Sequence, residues 1–224
     1  MRDHNFQGTT RDFTYQTLKD RILSLELKPG TKISEKEIAE KFKVSRTPVR
    51  ESFLTLAQEG LLDIYPQSGT IVSRIDLKEA EEGRFVREKL ERAIVVEACN
   101  HFSDDDLFSL ESNIVMQQIL AEKDNYTRLF ELDEDFHKTL FKGCGKLRTW
   151  KMIQQMNNQF KRLRLLRLFS NSDWDLLISQ HAELVECIKQ KEAEKADKIM
   201  ESHLQLIVFE KQELKEQYPN YFNS

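Results

Sequence analysis

The sequence predicts a mainly α-helical protein: a small N-terminal unit of helices closed by a β-hairpin, then an all-helical antiparallel bundle. Three observations predict it. Gly8, Gly30, Gly60 and Gly69 fall early, while Gly83, Gly143 and Gly145 serve everything after residue 75, so turns cluster early and long helices follow. Apolar residues recur at helical spacing, beginning with Leu18, Ile22 and Leu25. Stretches that read as strand occur as one pair, Leu61–Tyr65 and Thr70–Ser73, joined by the turn-forming Pro66-Gln67-Ser68-Gly69.

The first helix carries the Leu18, Ile22 and Leu25 face and stops at Lys28-Pro29-Gly30, a turn signal. Ser34 precedes Glu35 and Glu37, so it reads as an N-cap with acidic residues in the first turn of a second helix. That helix turns Ile38, Ala39 and Phe42 inward and ends near Lys43. After a short turn Ser45 caps a third helix with Val49, Phe53 and Leu56 as its buried stripe. Pro48 lies in the first turn, where its missing N–H does little harm. Two short helices with a tight turn between them form a helix-turn-helix, and the hairpin adds a wing in which Gly69 supplies a backbone shape other residues resist. Residues 1–75 are thus expected to be a winged helix-turn-helix domain.

A recognition helix reads bases with its N-terminal residues, here Ser45, Arg46, Thr47 and Arg50. Arg46 and Arg50 lie one turn apart, and each guanidinium can donate two parallel hydrogen bonds to guanine O6 and N7. Ser45 and Thr47 can bond a phosphate beside free helix N–H groups. Isolated, these arginines would read as solvated charges; inside a complete helix-turn-helix-wing pattern they read as contacts to double-stranded DNA. Charge adds little: the chain carries −4 overall, +2 in residues 1–75 and −6 beyond.

Ser34-Glu35-Lys36-Glu37-Ile38-Ala39, Val44-Ser45-Arg46-Thr47-Pro48-Val49-Arg50-Glu51 and Leu56-Ala57-Gln58-Glu59-Gly60-Leu61-Leu62 resemble the DNA-binding domain of the GntR family. The resemblance implies that Arg46 and Arg50 read bases. It also implies that Lys36, Ser45 and Gly69 contact backbone, bases or the minor groove at the wing.

Ser73-Arg74-Ile75-Asp76 passes from wing to helix without a flexible linker, and residues 76–224 read as one helical domain. Helices are expected near 77–100, with a break near Gly83, and near 104–122, 125–142, 147–169, 174–190 and 193–217. Asn100-His101-Phe102-Ser103, Gly143-Cys144-Gly145 and Asp173 look like loop and cap signals. No strand pattern interrupts them, which favours a bundle.

Histidine placement is the informative feature of this half. Asp133 and His137 are spaced i,i+4 on one helix face. His181 and His203 lie on the last two helices, either side of a turn near Gln190–Glu192. An antiparallel pair rising ~1.5 Å per residue would hold them at nearly one height. Three imidazoles and a carboxylate suit a divalent metal ion, with Zn²⁺ the first expectation and Ni²⁺ or Mn²⁺ as alternatives. Spacing alone leaves open hydrogen-bonded core histidines and a solvated acidic face around Glu131–Asp135. Asp133-Glu134-Asp135-Phe136-His137, Gln180-His181 and Ser202-His203-Leu204 resemble the FCD ligand-binding domain of FadR-like members of the family. The resemblance implies an FCD-like bundle in which Asp133, His137, His181 and His203 hold the metal. It also implies that Arg87 faces the same cavity, where an arginine can hold a carboxylate by two hydrogen bonds. Left to spacing, Arg87 reads equally as an i,i+4 salt bridge with Glu91. Arg162, Arg164 and Arg167 read as a helix surface or dimer contact.

These readings predict a homodimeric transcription regulator, a repressor by resemblance. It would bind a pseudo-palindromic operator and respond to a small organic acid effector at the metal site. Three rivals are a metal-dependent hydrolytic enzyme, for which no separate nucleophile or motif-supported general base is evident, a regulator whose metal is purely structural, and direct metal sensing without an organic ligand. Three widely spaced cysteines suit reduced thiols; Arg2-Asp3-His4 leads into no apolar run, and no apolar stretch of about 20 residues occurs. A cytoplasmic protein without membrane contact is expected.

Overall fold

The computed structural model describes residues 8–123, 125–170 and 174–223, apart from the side chains of 207–211. Asp173 and the Arg2-Asp3-His4 stretch lie outside the described residues. The chain forms two compact units. The first reaches to Leu77 and takes in the chain end from Gln217; the second runs over Lys78–Glu216.

The first unit contains α1 (Thr10–Leu23), β1 (Lys32–Ile33), α2 (Glu35–Phe42), α3 (Arg46–Gln58), β2 (Leu62–Tyr65) and β3 (Gly69–Val72). A capping box between Thr9 and Asp12 starts α1. The helix ends at Leu23, short of the Pro-Gly signal, because Leu25 turns into the left-handed region with φ +60°. Ser34 and Glu37 form the capping box that starts α2, and Lys43, at φ +55°, closes it. Leu18, Ile22, Ile38, Val49, Phe53, Leu56, Leu61, Leu62 and Val72 are buried together as one core. Each such side chain contributes about 1.5–3 kcal/mol when fully buried.

The sheet order is β1-β3-β2, all antiparallel, with β2 and β3 in register from Leu62↔Val72 to Tyr65↔Gly69. β1 was not expected: two residues are too few for strand alternation to register. The hairpin turn needs two left-handed residues, Gln67 at φ +63° and Gly69 at φ +109°. Beyond the wing, Ile75 pairs in parallel with Phe222. Ile75 N donates to the Tyr221 carbonyl at 2.7 Å and Asn223 N to the Ile75 carbonyl at 3.1 Å. Arg74 Nε donates to the Asn220 carbonyl at 3.2 Å. Ile75 is 0% and Phe222 3% exposed. The chain's last residues, read from sequence as the end of the helical domain, therefore complete the first unit.

The second unit is built from α4 (Leu77–His101), α5 (Asp104–Ala121), α6 (Tyr126–Gly143), α7 (Leu147–Met156), α8 (Asn158–Ser170), α9 (Trp174–Gln190) and α10 (Ala193–Gln217). α5 packs along both α6 and α9. The expected 147–169 helix is two helices, broken at Asn157, while the expected break near Gly83 does not occur. The two places meet in one contact. A Cβ on Gly83 would lie 2.7 Å from Asn157 Oδ1 and 3.3 Å from the Met156 carbonyl, so the glycine lets α4 approach the α7–α8 break. No helix among the described residues is long and apolar enough to cross a membrane.

Candidate DNA interface and metal centre

Lys36 on α2, Ser45, Arg46, Thr47 and Arg50 at the start of α3, and Gly69 at the wing turn are all exposed. Val49, Phe53 and Leu56 hold one stripe of α3 in the core, and Arg46 and Arg50, on the face that flanks this stripe, are left in the open. Ser45 occupies the N-cap position of α3, yet its side chain makes no capping hydrogen bond, and no acidic residue stands in the first turn. The helix start thus keeps unsatisfied N–H groups and a free hydroxyl, the arrangement that accepts a phosphate.

In the second unit Asp133 and His137 come from α6, His181 from α9 and His203 from α10, all buried. One ligand atom from each lies within 4.8 Å of the others. His203 Nε2 and His137 Nε2 are 3.2 Å apart. Asp133 Oδ1 is 3.9 Å from His137 Nε2 and 3.7 Å from His181 Nε2.

The far side of each ring faces an acceptor. Glu91 Oε2 on α4 lies 2.5 Å from His137 Nδ1, though off the N–H axis. Gln117 Oε1 is 3.0 Å from His181 Nδ1, and Gln180 Oε1 is 3.0 Å from His203 Nδ1. Acceptors at Nδ1 favour the tautomer whose bare nitrogen is Nε2, so lone pairs converge on the centre. Burial pushes His181 down to about 3 and His203 well below its ordinary value, which keeps both rings neutral. Burial raises the Asp133 carboxyl, but Arg164, His137, His181 and Arg87 outweigh it and leave the pKa lowered, so the group is ionised. Asp133 Oδ1 and His181 Nε2 have no hydrogen-bond partner among the described residues. Three imidazoles, one carboxylate and buried orphan atoms fit a divalent first-row ion.

An ionic layer surrounds these four residues. Arg164 bonds both Asp133 and Glu134. Arg87, fully buried, bonds Glu91 and lies 3.1 Å from Glu134, leaving Nη2 without a hydrogen-bond partner. The i,i+4 pair with Glu91 is therefore real. Burial raises the Glu91 carboxyl, but Arg87 and His137 bring it down to about 2. Arg162, Arg164 and Arg167, read from sequence as a helix surface or dimer contact, are all buried within the chain itself. Ten of the thirteen α8 residues are buried, so this helix is central, and its Lys161 and Arg164 answer the internal carboxylates Asp133 and Glu134. A cavity of about 30 Å³ adjoins the centre, lined by residues including Phe160, Arg164, Arg167 and His203.

Sequence reasoning missed Glu91, Gln117, Gln180, Glu134 and Arg164 as parts of this site. The i,i+4 step from Arg87 to Glu91 and the adjacency of Gln180 to His181 were the available signals. Gln117 had only its place on a helix that packs on two others.

Residues 10–72 match the bacterial regulatory proteins of the gntR family, and residues 84–206 match the FCD domain. The chain belongs to the GntR family. This GntR regulator is 30% identical over 209 residues to the HTH-type transcriptional repressor RspR of Escherichia coli K12, covering 93% of this chain and 92% of that one. It is 32% identical over 215 residues to an HTH-type transcriptional regulator in an unstable DNA locus of Streptomyces ambofaciens, covering 96% and 90%. The solved structure of E. coli McbR/YncC shares the fold, with a TM-score of 0.79 at 21% identity over 95% of this chain and all of that one. The GntR regulator is a DNA-binding transcription regulator with an FCD domain, and the hydrolytic-enzyme reading is set aside: its family and relatives regulate transcription.

Proposed function

We propose that this regulator is a cytoplasmic homodimeric repressor of a pseudo-palindromic operator, modulated by a small organic carboxylate at a metal centre in the helical unit. Arg46 and Arg50 read bases; Lys36, Ser45 and Thr47 hold phosphates; Gly69 lets the wing backbone approach the groove. Asp133, His137, His181 and His203 hold the ion, with Zn²⁺ preferred over Ni²⁺ or Mn²⁺. A bound ion would offer open coordination positions to an oxygen anion. The observation that carries this reading is the convergence of three buried imidazoles and one carboxylate oxygen within 4.8 Å, beside an arginine with a spare donor, Arg87 Nη2.

Arg87 has two tasks here, balancing Glu91 and Glu134 and offering Nη2 to a ligand carboxylate. Ligand binding would reach the DNA-binding unit through a coupling of ~1–3 kcal/mol, changing operator affinity about 5–150-fold. The test is binding to the protein's own upstream DNA, with and without zinc, across a panel of small carboxylic acids. One acid that changes operator affinity only in zinc-loaded protein supports the proposal. A second reading, a purely structural metal, is favoured by the cavity, whose 30 Å³ holds little more than a water. Zinc-dependent stabilisation with no acid altering either stability or DNA affinity would select it.

A further inference from the structure

We infer that Asn113 and Gln117 on α5 are positioning residues for the metal centre, acting through His181. The inference rests on the metal reading above, to which it adds two residues outside the ligand set.

The relay starts at a backbone carbonyl, which can only accept. Asn113 Nδ2 donates to the Leu132 carbonyl at 3.0 Å, next to the ligand Asp133. That fixes the amide orientation, so Asn113 presents Oδ1 to Gln117 Nε2 at 2.6 Å. Gln117 in turn presents Oε1 to His181 Nδ1 at 3.0 Å. An amide oxygen can only accept, so the proton sits on Nδ1 and Nε2 stays bare toward Asp133 and the other two rings. Every polarity in the chain follows from its first member.

The relay also divides the labour of holding the ring. Phe136 stacks on His181 with centroids 4.1 Å apart and planes inclined by 21°, which sets the ring plane. Stacking leaves rotation within that plane free, and the Gln117 contact removes it. His137 uses a charged partner, Glu91, for the same purpose, itself held by Arg87. Gln117 is neutral, so His181 is fixed without placing another anion beside Asp133. Gln117 is also fully buried on α5, where a polar side chain costs stability unless its donors and acceptor are used.

The test measures zinc affinity of the full chain by competition with a chelator, for wild type, Asn113→Ala, Gln117→Met and the double variant. Gln117→Met removes the acceptor at similar volume and is expected to weaken zinc binding roughly 10–100-fold. Asn113→Ala, at a half-buried position that tolerates truncation, is expected to weaken it less. The double variant should bind no worse than Gln117→Met alone, because both substitutions act through one ring nitrogen. A merely structural role would not move the second readout, ¹⁵N NMR of the zinc-free protein. His181 should show the Nδ1–H tautomer in wild type and a mixture in Gln117→Met. Unchanged zinc affinity in both single variants, or an unchanged His181 tautomer in Gln117→Met, overturns the relay. Failure of wild type to bind zinc at a site sensitive to His181→Ala would sink the metal reading instead, and the two results are distinguishable.

Discussion

His137 and His203 turn their Nε2 atoms toward each other at 3.2 Å, while their Nδ1 atoms face Glu91 and Gln180. Without an ion, a proton on either Nε2 can bridge the two rings as an N–H···N hydrogen bond; a divalent ion held by both nitrogens would take its place. Zinc is therefore expected to raise the melting temperature of the wild type, by about 2.7 kcal/mol of stability at free zinc 100 times the Kd. His203→Ala and Asp133→Asn should lose that response. Differential scanning fluorimetry checks it, and equal stabilisation of all three proteins would refute a four-residue site.

Acid should destabilise the metal-free protein in a defined window. His181 is held at about 3 when folded, against an ordinary 6.5 when unfolded. Between those values the unfolded chain binds more protons than the folded one, so stability falls as pH falls. At pH 5 this histidine alone should cost about 2 kcal/mol relative to pH 7.5. Urea midpoints at the two pH values measure the loss, and His181→Gln should make the profile shallower.

Arg46 and Arg50 should behave differently from Lys36 on DNA. Replacing either arginine with alanine should cost ~1–3 kcal/mol on the operator and relax discrimination at the base it reads. Lys36→Ala should weaken all sequences about equally and reduce the salt slope by roughly 0.9. Fluorescence anisotropy on operator and scrambled duplexes across a salt series separates the two patterns; a uniform loss from Arg46→Ala would make it a phosphate contact.

Gly83 should not tolerate a methyl group. An added Cβ would meet Asn157 Oδ1 at 2.7 Å with the Met156 carbonyl close behind, and Asn157 is itself buried. Gly83→Ala is expected to destabilise by about 1–3 kcal/mol despite alanine's better helix propensity. Chemical denaturation gives the sign, and a gain in stability would show that the two helices can part at no cost.

Much of this was legible in residue order because it is local. Ser34 and Glu37 are three residues apart, and their capping box follows from spacing. The apolar stripe Val49, Phe53 and Leu56 likewise announces which way Arg46 points. The convergence of Asp133, His137, His181 and His203 was legible for a related reason: Asp133 and His137 share a helix face, and one short turn joins the helices of His181 and His203. What escaped was set by contacts between distant segments. β1 exists only because β3 lies beside it. Arg164 looks like a surface charge until Asp133 and Glu134, on another helix, are seen beside it. Gly83 reads as a helix breaker because sequence does not reveal that Asn157 will press against it. The polarity of Gln117 is set by the Leu132 carbonyl, which carries no side-chain signature at all.

The pairing of Ile75 with Phe222 makes the DNA-reading unit discontinuous in the gene. A chimaera joined at a single point after residue 77 would carry the first unit without its own partner for Ile75. Such a chimaera keeps a tail fitted to a different Ile75, with Phe222 seated against a foreign surface. Moving this unit intact therefore calls for two junctions, one after residue 77 and one before residue 217.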